Sequence, residues 1–173
     1  EGQASAAVPE LGPMLENIDA LVAEVIGPRL QRAGNISTRS HAMFTCYPAA
    51  DDSEDRVRGY LRHLDNDRVM LEGRDNGREL TTILYLNEGW AEEDEGTLRL
   101  FELSPPLQVR GEVLPRLNRL IAFWADEIPH EVLAPRRDRF ACTFWYLNAP
   151  PGPSAVAFDG APAASAPPAP PVP

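Results

Sequence analysis

Arg139-Phe140-Ala141-Cys142-Thr143-Phe144-Trp145-Tyr146 is an unbroken run of aromatic, β-branched and small apolar residues, opened by an arginine and free of Gly and Pro. Such a composition is that of a β-strand and reads as one over residues 140–147. Moving back along the chain, residues 119–124, 108–113, 97–102, 79–86 and 41–47 have the same character. Turn chemistry separates them: Asp75-Asn76-Gly77, the acidic Glu92-Glu93-Asp94-Glu95-Gly96, and Ser104-Pro105-Pro106. Many short strands with few helices predict a mainly β, sandwich or barrel-like antiparallel fold. No internal repeat is visible.

The flanks differ from this centre. After an N-terminal segment (1–12), Pro13 opens a pattern in which Leu15, Ile18, Leu21, Val22, Val25 and Ile26 recur at three- and four-residue spacing. That is one apolar face of an amphipathic helix, predicted to cover a sheet over 13–34, with a kink at Pro28 and a stop at Gly34. The barrel follows over 35–148. At the other end, nine of the 18 prolines lie at positions 150 to 173, among alanines. A stretch of this kind buries too little apolar surface to offset its ordering entropy. Residues 149–173 are therefore expected to be an extended, disordered tail, with contact to a partner as its one conceivable role.

With 16 basic and 26 acidic side chains the chain carries a net charge of −10, which argues against a nucleic-acid partner, since phosphate binding needs clustered Lys and Arg. No apolar run approaches the ~18–20 residues that cross a bilayer, so no membrane partner is expected. Two cysteines, Cys46 and Cys142, make no disulfide framework. The opening residues show no basic-then-apolar signal pattern, and an intracellular location, cytoplasmic or nuclear, is expected.

His63-Leu64-Asp65 sets two potential metal ligands on one face of an extended segment, and His130 can close the site from a later strand. Two histidines and one carboxylate on one face of an octahedron form the arrangement of non-haem Fe(II) oxygenases, which leaves three positions open. Taken alone, the pattern is equally that of a surface pair and an unrelated histidine after Pro129. Nine residues beyond His130 stands Arg139, whose guanidinium is the preferred bidentate partner of a carboxylate.

Several stretches in this order and spacing resemble the hypoxia-type prolyl hydroxylases, within the Fe(II)/2-oxoglutarate dioxygenases. They are Ala42-Met43-Phe44-Thr45-Cys46-Tyr47-Pro48, Tyr60-Leu61-Arg62-His63-Leu64-Asp65-Asn66, Leu84-Tyr85-Leu86-Asn87-Glu88-Gly89-Trp90 and Gly96-Thr97-Leu98-Arg99-Leu100-Phe101, followed by Phe123-Trp124-Ala125-Asp126, Pro129-His130-Glu131-Val132 and the strand from Arg139. The resemblance runs from about Asn35 to Leu147. It implies a double-stranded β-helix, a jelly-roll or cupin-like barrel, with an N-terminal supporting helix. Fe(II), 2-oxoglutarate and O₂ are the implied cofactor and co-substrates, with ascorbate in support.

The same resemblance assigns His63, Asp65 and His130 to iron. Arg139 would take the distal carboxylate of 2-oxoglutarate, with the Tyr85 phenol at that same end and Tyr47 beside it. Thr143, Leu98 and Met43 would line the co-substrate pocket, while Trp145 and Arg78 would lie toward a proline-containing peptide or protein substrate. The family has more material before residue 35 than the single helix seen here, so a truncated N-terminus or a compact relative is expected. Two other functions stand beside prolyl hydroxylation: a catalytically idle barrel used as a scaffold, and a hydroxylase of free proline or another small molecule.

Overall fold

The computed structural model describes residues 9–30, 36, 38–50, 59–67, 75–148 and 155–157. The first described element is helix α1 (Leu11–Ala20), which buries Leu11, Leu15 and Ile18 at the spacing of one helical face. It starts two residues earlier than the sequence pattern predicts. Pro13 sits inside the first turn, where its missing N–H has no intrahelical partner to lose. The helix widens into π turns over Leu21–Ile26 and tightens to a 3-10 turn at Gly27–Arg29. Leu30 is extended, so Pro28 marks the end of the helix rather than a kink within it. Gly34, the predicted stop, lies outside the described residues.

Among the described residues ten strands follow in two antiparallel sheets. The larger joins β10 (Ala155–Ala157), β1 (Thr38–Ser40), β9 (Arg139–Leu147), β4 (Arg78–Tyr85) and β7 (Leu120–Trp124) in that order, with β2 (Met43–Tyr47) also paired to β9. The smaller joins β3 (Tyr60–His63), β8 (His130–Val132), β5 (Leu98–Phe101) and β6 (Val109–Val113). This is the double-stranded β-helix arrangement. Among the described residues no ladder links one sheet to the other, so the barrel is left open.

Period-two alternation along β9 distributes its side chains between two layers. Cys142, Phe144 and Tyr146 face α1 and pack with Leu11, Leu15, Ile18, Val22 and Leu80. Arg139, Ala141, Thr143 and Trp145 face the space between the sheets, where Ile83, Tyr85, Leu98, Phe123 and Ile128 make a second core. The supporting helix thus backs the sheet whose other face holds the cavity.

A buried polar knot fastens helix to sheet. Arg39 Nε donates to both carboxylate oxygens of Asp19 at 3.0 Å, and the Tyr146 hydroxyl donates to Oδ1 at 2.8 Å.

The tail departs from the expectation of disorder at one place. Ala155–Ala157 pairs with β1, Thr38 opposite Ala157 and Ser40 opposite Ala155. It lies in the octet between Pro153 and Pro162, and a stretch without proline keeps every N–H a sheet ladder needs. The rest of the tail lies outside the described residues.

Candidate metal centre

The three proposed ligands come together. Their ligand atoms lie within 4.8 Å of one another. His63 Nε2 is 3.5 Å from Asp65 Oδ1, and His130 Nε2 is 3.8 Å from Oδ2. β3 and β8 are paired with His63 opposite His130, which brings residues 67 positions apart onto neighbouring strands. Gly59 permits this pairing, since a Cβ there would fall 2.1 Å from the Val132 carbonyl oxygen.

Asp65 does not lie on the extended segment expected for it; β3 ends at His63, and Asp65 and Asn66 form a turn. Side-chain hydrogen bonds build that turn. Asn66 Nδ2 donates to Asp75 Oδ1 and to the Arg78 carbonyl, and Asn76 Nδ2 donates to the Asp65 carbonyl.

The histidine tautomers suit a metal. Each histidine has Nδ1 against a backbone carbonyl, Leu61 at 2.8 Å for His63 and Ile128 at 3.0 Å for His130. A carbonyl only accepts, so Nδ1 carries the hydrogen and the Nε2 lone pair is turned to the cluster. Burial pulls the pKa of His130 below its ordinary value and outweighs the attraction of Asp65. For His63 burial also works downward, but the hydrogen bond and charge of Asp65 prevail and raise it. Burial would raise Asp65, yet His63, His130, Thr81 and Trp145 together hold it well below the usual carboxylate range. An ionised carboxylate between two Nε2 atoms is a ready donor set for a divalent cation.

Beside the cluster opens a cavity of about 580 Å³. Met43, Tyr47, His63, Asp65, Arg78, Leu98, His130, Arg139, Thr143 and Trp145, all singled out from the sequence, line it. Arg139 is 2% exposed and has no ion-pair partner among the described residues. Its Nε donates to the Gly96 carbonyl at 2.8 Å, and the guanidinium lies over the rings of Tyr85 and Tyr47, 5.0 and 5.3 Å from their centres. The strand start is fixed by buried Asn87, whose amide accepts from the Phe140 N–H and donates to its carbonyl.

Tyr85 does not line the cavity; it is fully buried behind Arg139. Among the described residues its hydroxyl has no partner of hydrogen-bond geometry, and burial pushes its pKa up to about 12, so it stays a neutral donor. A buried cation and an orphaned phenol together leave room for an anion that satisfies both.

At the mouth Arg78 stacks 3.8 Å from the centre of the Trp145 ring, and its Nη1 is 3.9 Å from Asp65 Oδ1. The Trp145 indole N–H also lacks a partner of hydrogen-bond geometry among the described residues.

The sequence reading missed Thr81, whose hydroxyl donates to Asp65 Oδ2 at 2.6 Å. The signal was there in the alternation of β4: Thr81 and Ile83 stand four and two positions before Tyr85, on the same face. Tyr60 and Thr45 were missed as cavity-lining residues as well.

An open double-stranded β-helix with a two-histidine, one-carboxylate cluster beside a pocket arginine defines a class of non-haem iron oxygenases. Residues 42–147 match the profile of the 2OG-Fe(II) oxygenase superfamily, and the chain belongs to that family. It is 38% identical over 116 residues to the hypoxia-inducible factor prolyl hydroxylase of Caenorhabditis elegans, covering 66% of this chain and 14% of that protein. It is 37% identical over 138 residues to prolyl hydroxylase EGLN3 of Mus musculus, covering 79% and 51%. Among solved structures, the Trichoplax adhaerens prolyl hydroxylase in complex with a hypoxia-inducible factor oxygen degradation domain peptide aligns with a TM-score of 0.58 at 30% identity, covering 78% of this chain and 56% of that one. The chain therefore spans about half or less of the length of these relatives.

Proposed function

We propose that this chain hydroxylates prolyl residues in a protein or peptide, using Fe(II), 2-oxoglutarate and O₂. The observation that carries the reading is a single cavity holding both the His63–Asp65–His130 cluster and the unpaired, buried fork of Arg139. His63, Asp65 and His130 would hold the iron. When bound, the iron supplies the redox chemistry that couples oxidative decarboxylation of 2-oxoglutarate, to succinate and CO₂, with insertion of the second oxygen atom of O₂ into a prolyl C–H bond.

The residues of the chain bind and orient. Arg139 keeps Nε on Gly96 and turns its two Nη groups to the distal carboxylate of the co-substrate, to which Tyr85 donates its hydroxyl. Thr81 keeps one oxygen of Asp65 occupied and so fixes the rotation of the carboxylate. Leu98, Met43, Ile83 and Val132 give the pocket apolar walls that exclude water. Tyr47 and Thr143 flank the co-substrate.

Arg78 and Trp145, stacked at the rim, are the groups a peptide meets first. Tyr60, which lines the same cavity, is 52% exposed and Leu61, next to it in the chain, 79%, an open and partly apolar approach that suits a polypeptide better than free proline. The relative solved with a bound peptide supports the same choice. A scaffold has no use for an uncompensated buried arginine, which costs stability. An intracellular site of action and a partner contact through the Pro-rich tail belong to this proposal; the two free cysteines are in keeping with a reducing compartment.

The test is incubation of the iron-loaded protein with proline-containing peptides, 2-oxoglutarate and ascorbate, read by mass spectrometry. A gain of one oxygen on proline, with matching succinate, is expected. Turnover of free proline with none of any peptide would overturn the substrate assignment.

A further inference from the structure

The co-substrate arginine does not orient itself. Its Nε is held by a backbone carbonyl, that of Gly96, and one fixed N–H sets the plane in which the two Nη groups present their fork. What places that carbonyl is therefore part of the binding apparatus.

Gly96 has φ +66°, and a Cβ on it would stand 2.8 Å from Pro135 Cβ and 3.2 Å from Arg139 Cδ. Only glycine lets the carbonyl come this close. The residue before it is the anomaly. Glu95 has φ 54° and ψ −138°, a region that residues with a side chain rarely enter.

Glu95 is held there from several sides. Its N–H donates to the Glu92 carbonyl at 3.0 Å, and its carbonyl accepts from Trp90 Nε1 at 3.0 Å. Its carboxylate accepts from Arg136 Nε at 2.7 Å, and its backbone bridges Pro135. The Arg136 N–H donates to the Asp94 carbonyl at 2.8 Å, while Arg137 reaches Asp94 Oδ2 and the Glu88 carbonyl.

The loop ending at Gly96 is thus buttoned to the segment that leads into Arg139. Both partners of the Glu95–Arg136 pair are more than 40% exposed, and such a pair returns less stability than the strained backbone costs. Stability does not explain a glutamate at a position suited to glycine. We propose that Glu95, through Arg136, is a positioning residue: it holds the Gly96 carbonyl where it aims the guanidinium of Arg139 at the carboxylate of the co-substrate. This inference rests on the proposed function.

The test separates positioning from folding because the two have opposite signs. Glu95→Gly relieves the backbone and removes the carboxylate. Binding of labelled 2-oxoglutarate is measured by equilibrium dialysis on protein loaded with Mn(II), which binds without turnover, beside a thermal melt. The expected result is a Kd for 2-oxoglutarate raised about tenfold, in the range for losing a partner that orients a ligand-binding group, with a melting temperature unchanged or higher. Arg136→Ala should raise Kd alike, the double variant no further, and Glu95→Gln should recover part of the affinity.

An unchanged Kd in Glu95→Gly, or a Kd and melting temperature that worsen together, would overturn the proposal. If the wild-type protein itself fails to bind 2-oxoglutarate, the reading beneath it falls instead.

Discussion

Asp19→Ala removes the centre of the knot that ties α1 to the large sheet. The Asp19 and Arg39 side chains are 9% and 7% exposed, so the pair sits in a medium where an uncompensated charge is expensive. Without Asp19 the guanidinium loses a carboxylate at 3.0 Å, and Tyr146 loses an acceptor at 2.8 Å. Breaking a buried pair from one side costs about 3–5 kcal/mol. Arg39 keeps its hydrogen bond to the Ser40 carbonyl, which places the expected loss at the lower end, about 3 kcal/mol. Against a total stability on the order of 5–15 kcal/mol, that is a large fraction. Urea unfolding followed by circular dichroism measures it directly. Tyr146→Phe removes one hydrogen bond to a charged acceptor and should cost about 1.5–3 kcal/mol. A loss below about 1 kcal/mol for Asp19→Ala would show that apolar packing of Leu11, Leu15 and Ile18 alone secures the helix.

Other outcomes follow from the same structure. Thr81→Val leaves Asp65 without the donor at 2.6 Å and should weaken divalent-metal affinity about tenfold, read by competition with a metal-sensitive dye; unchanged affinity would refute an orienting role. Burial raises the Cys142 thiol to about 11 whereas Cys46 is exposed, so iodoacetamide at pH 8 should label Cys46 alone in the folded protein, as peptide mapping would show. Burial raises Tyr85 from 10.0 to about 12 and raises Tyr146 as well. A group whose folded pKa is raised contributes stability that is complete below its unfolded value and lost as pH climbs through the folded one. Urea midpoints should hold to pH 10 and then fall toward pH 12; a flat profile would contradict the burial.

What could be read in advance was whatever has a side-chain period or a spaced motif. The β-branched and aromatic run from Arg139 to Tyr146 carried the central strand, while the division of its side chains between the helix-backed layer and the cavity came only with the fold. His63, Asp65, His130 and Arg139 were legible because metal and carboxylate chemistry demands those residue types. Interactions that run through the backbone leave no such trace: the partner of Arg139 is the Gly96 carbonyl, and nothing in the residue names announces it. Asp19 interrupts an apolar stripe, and its meaning depends on Arg39 and Tyr146, which only the fold brings within reach. Asp65 was assigned to an extended segment because the alternation rule ignores the side-chain hydrogen bonds of Asn66 and Asn76 that turn the chain there. Ala155–Ala157 was hidden by the proline-rich composition around it.

In the proposed function His63, Asp65 and His130 hold iron beside a site where Arg139 binds 2-oxoglutarate. The most direct measurement is an anaerobic titration of metal-free protein with Fe(II) and then 2-oxoglutarate, following the weak visible absorption of a 2-oxo acid chelated to Fe(II). One equivalent of iron should bind, the band should then appear, Asp65→Ala should abolish it, and Arg139→Ala should shift its appearance to higher co-substrate concentration. A folded Asp65→Ala protein that gives the band as the wild type does would contradict the account.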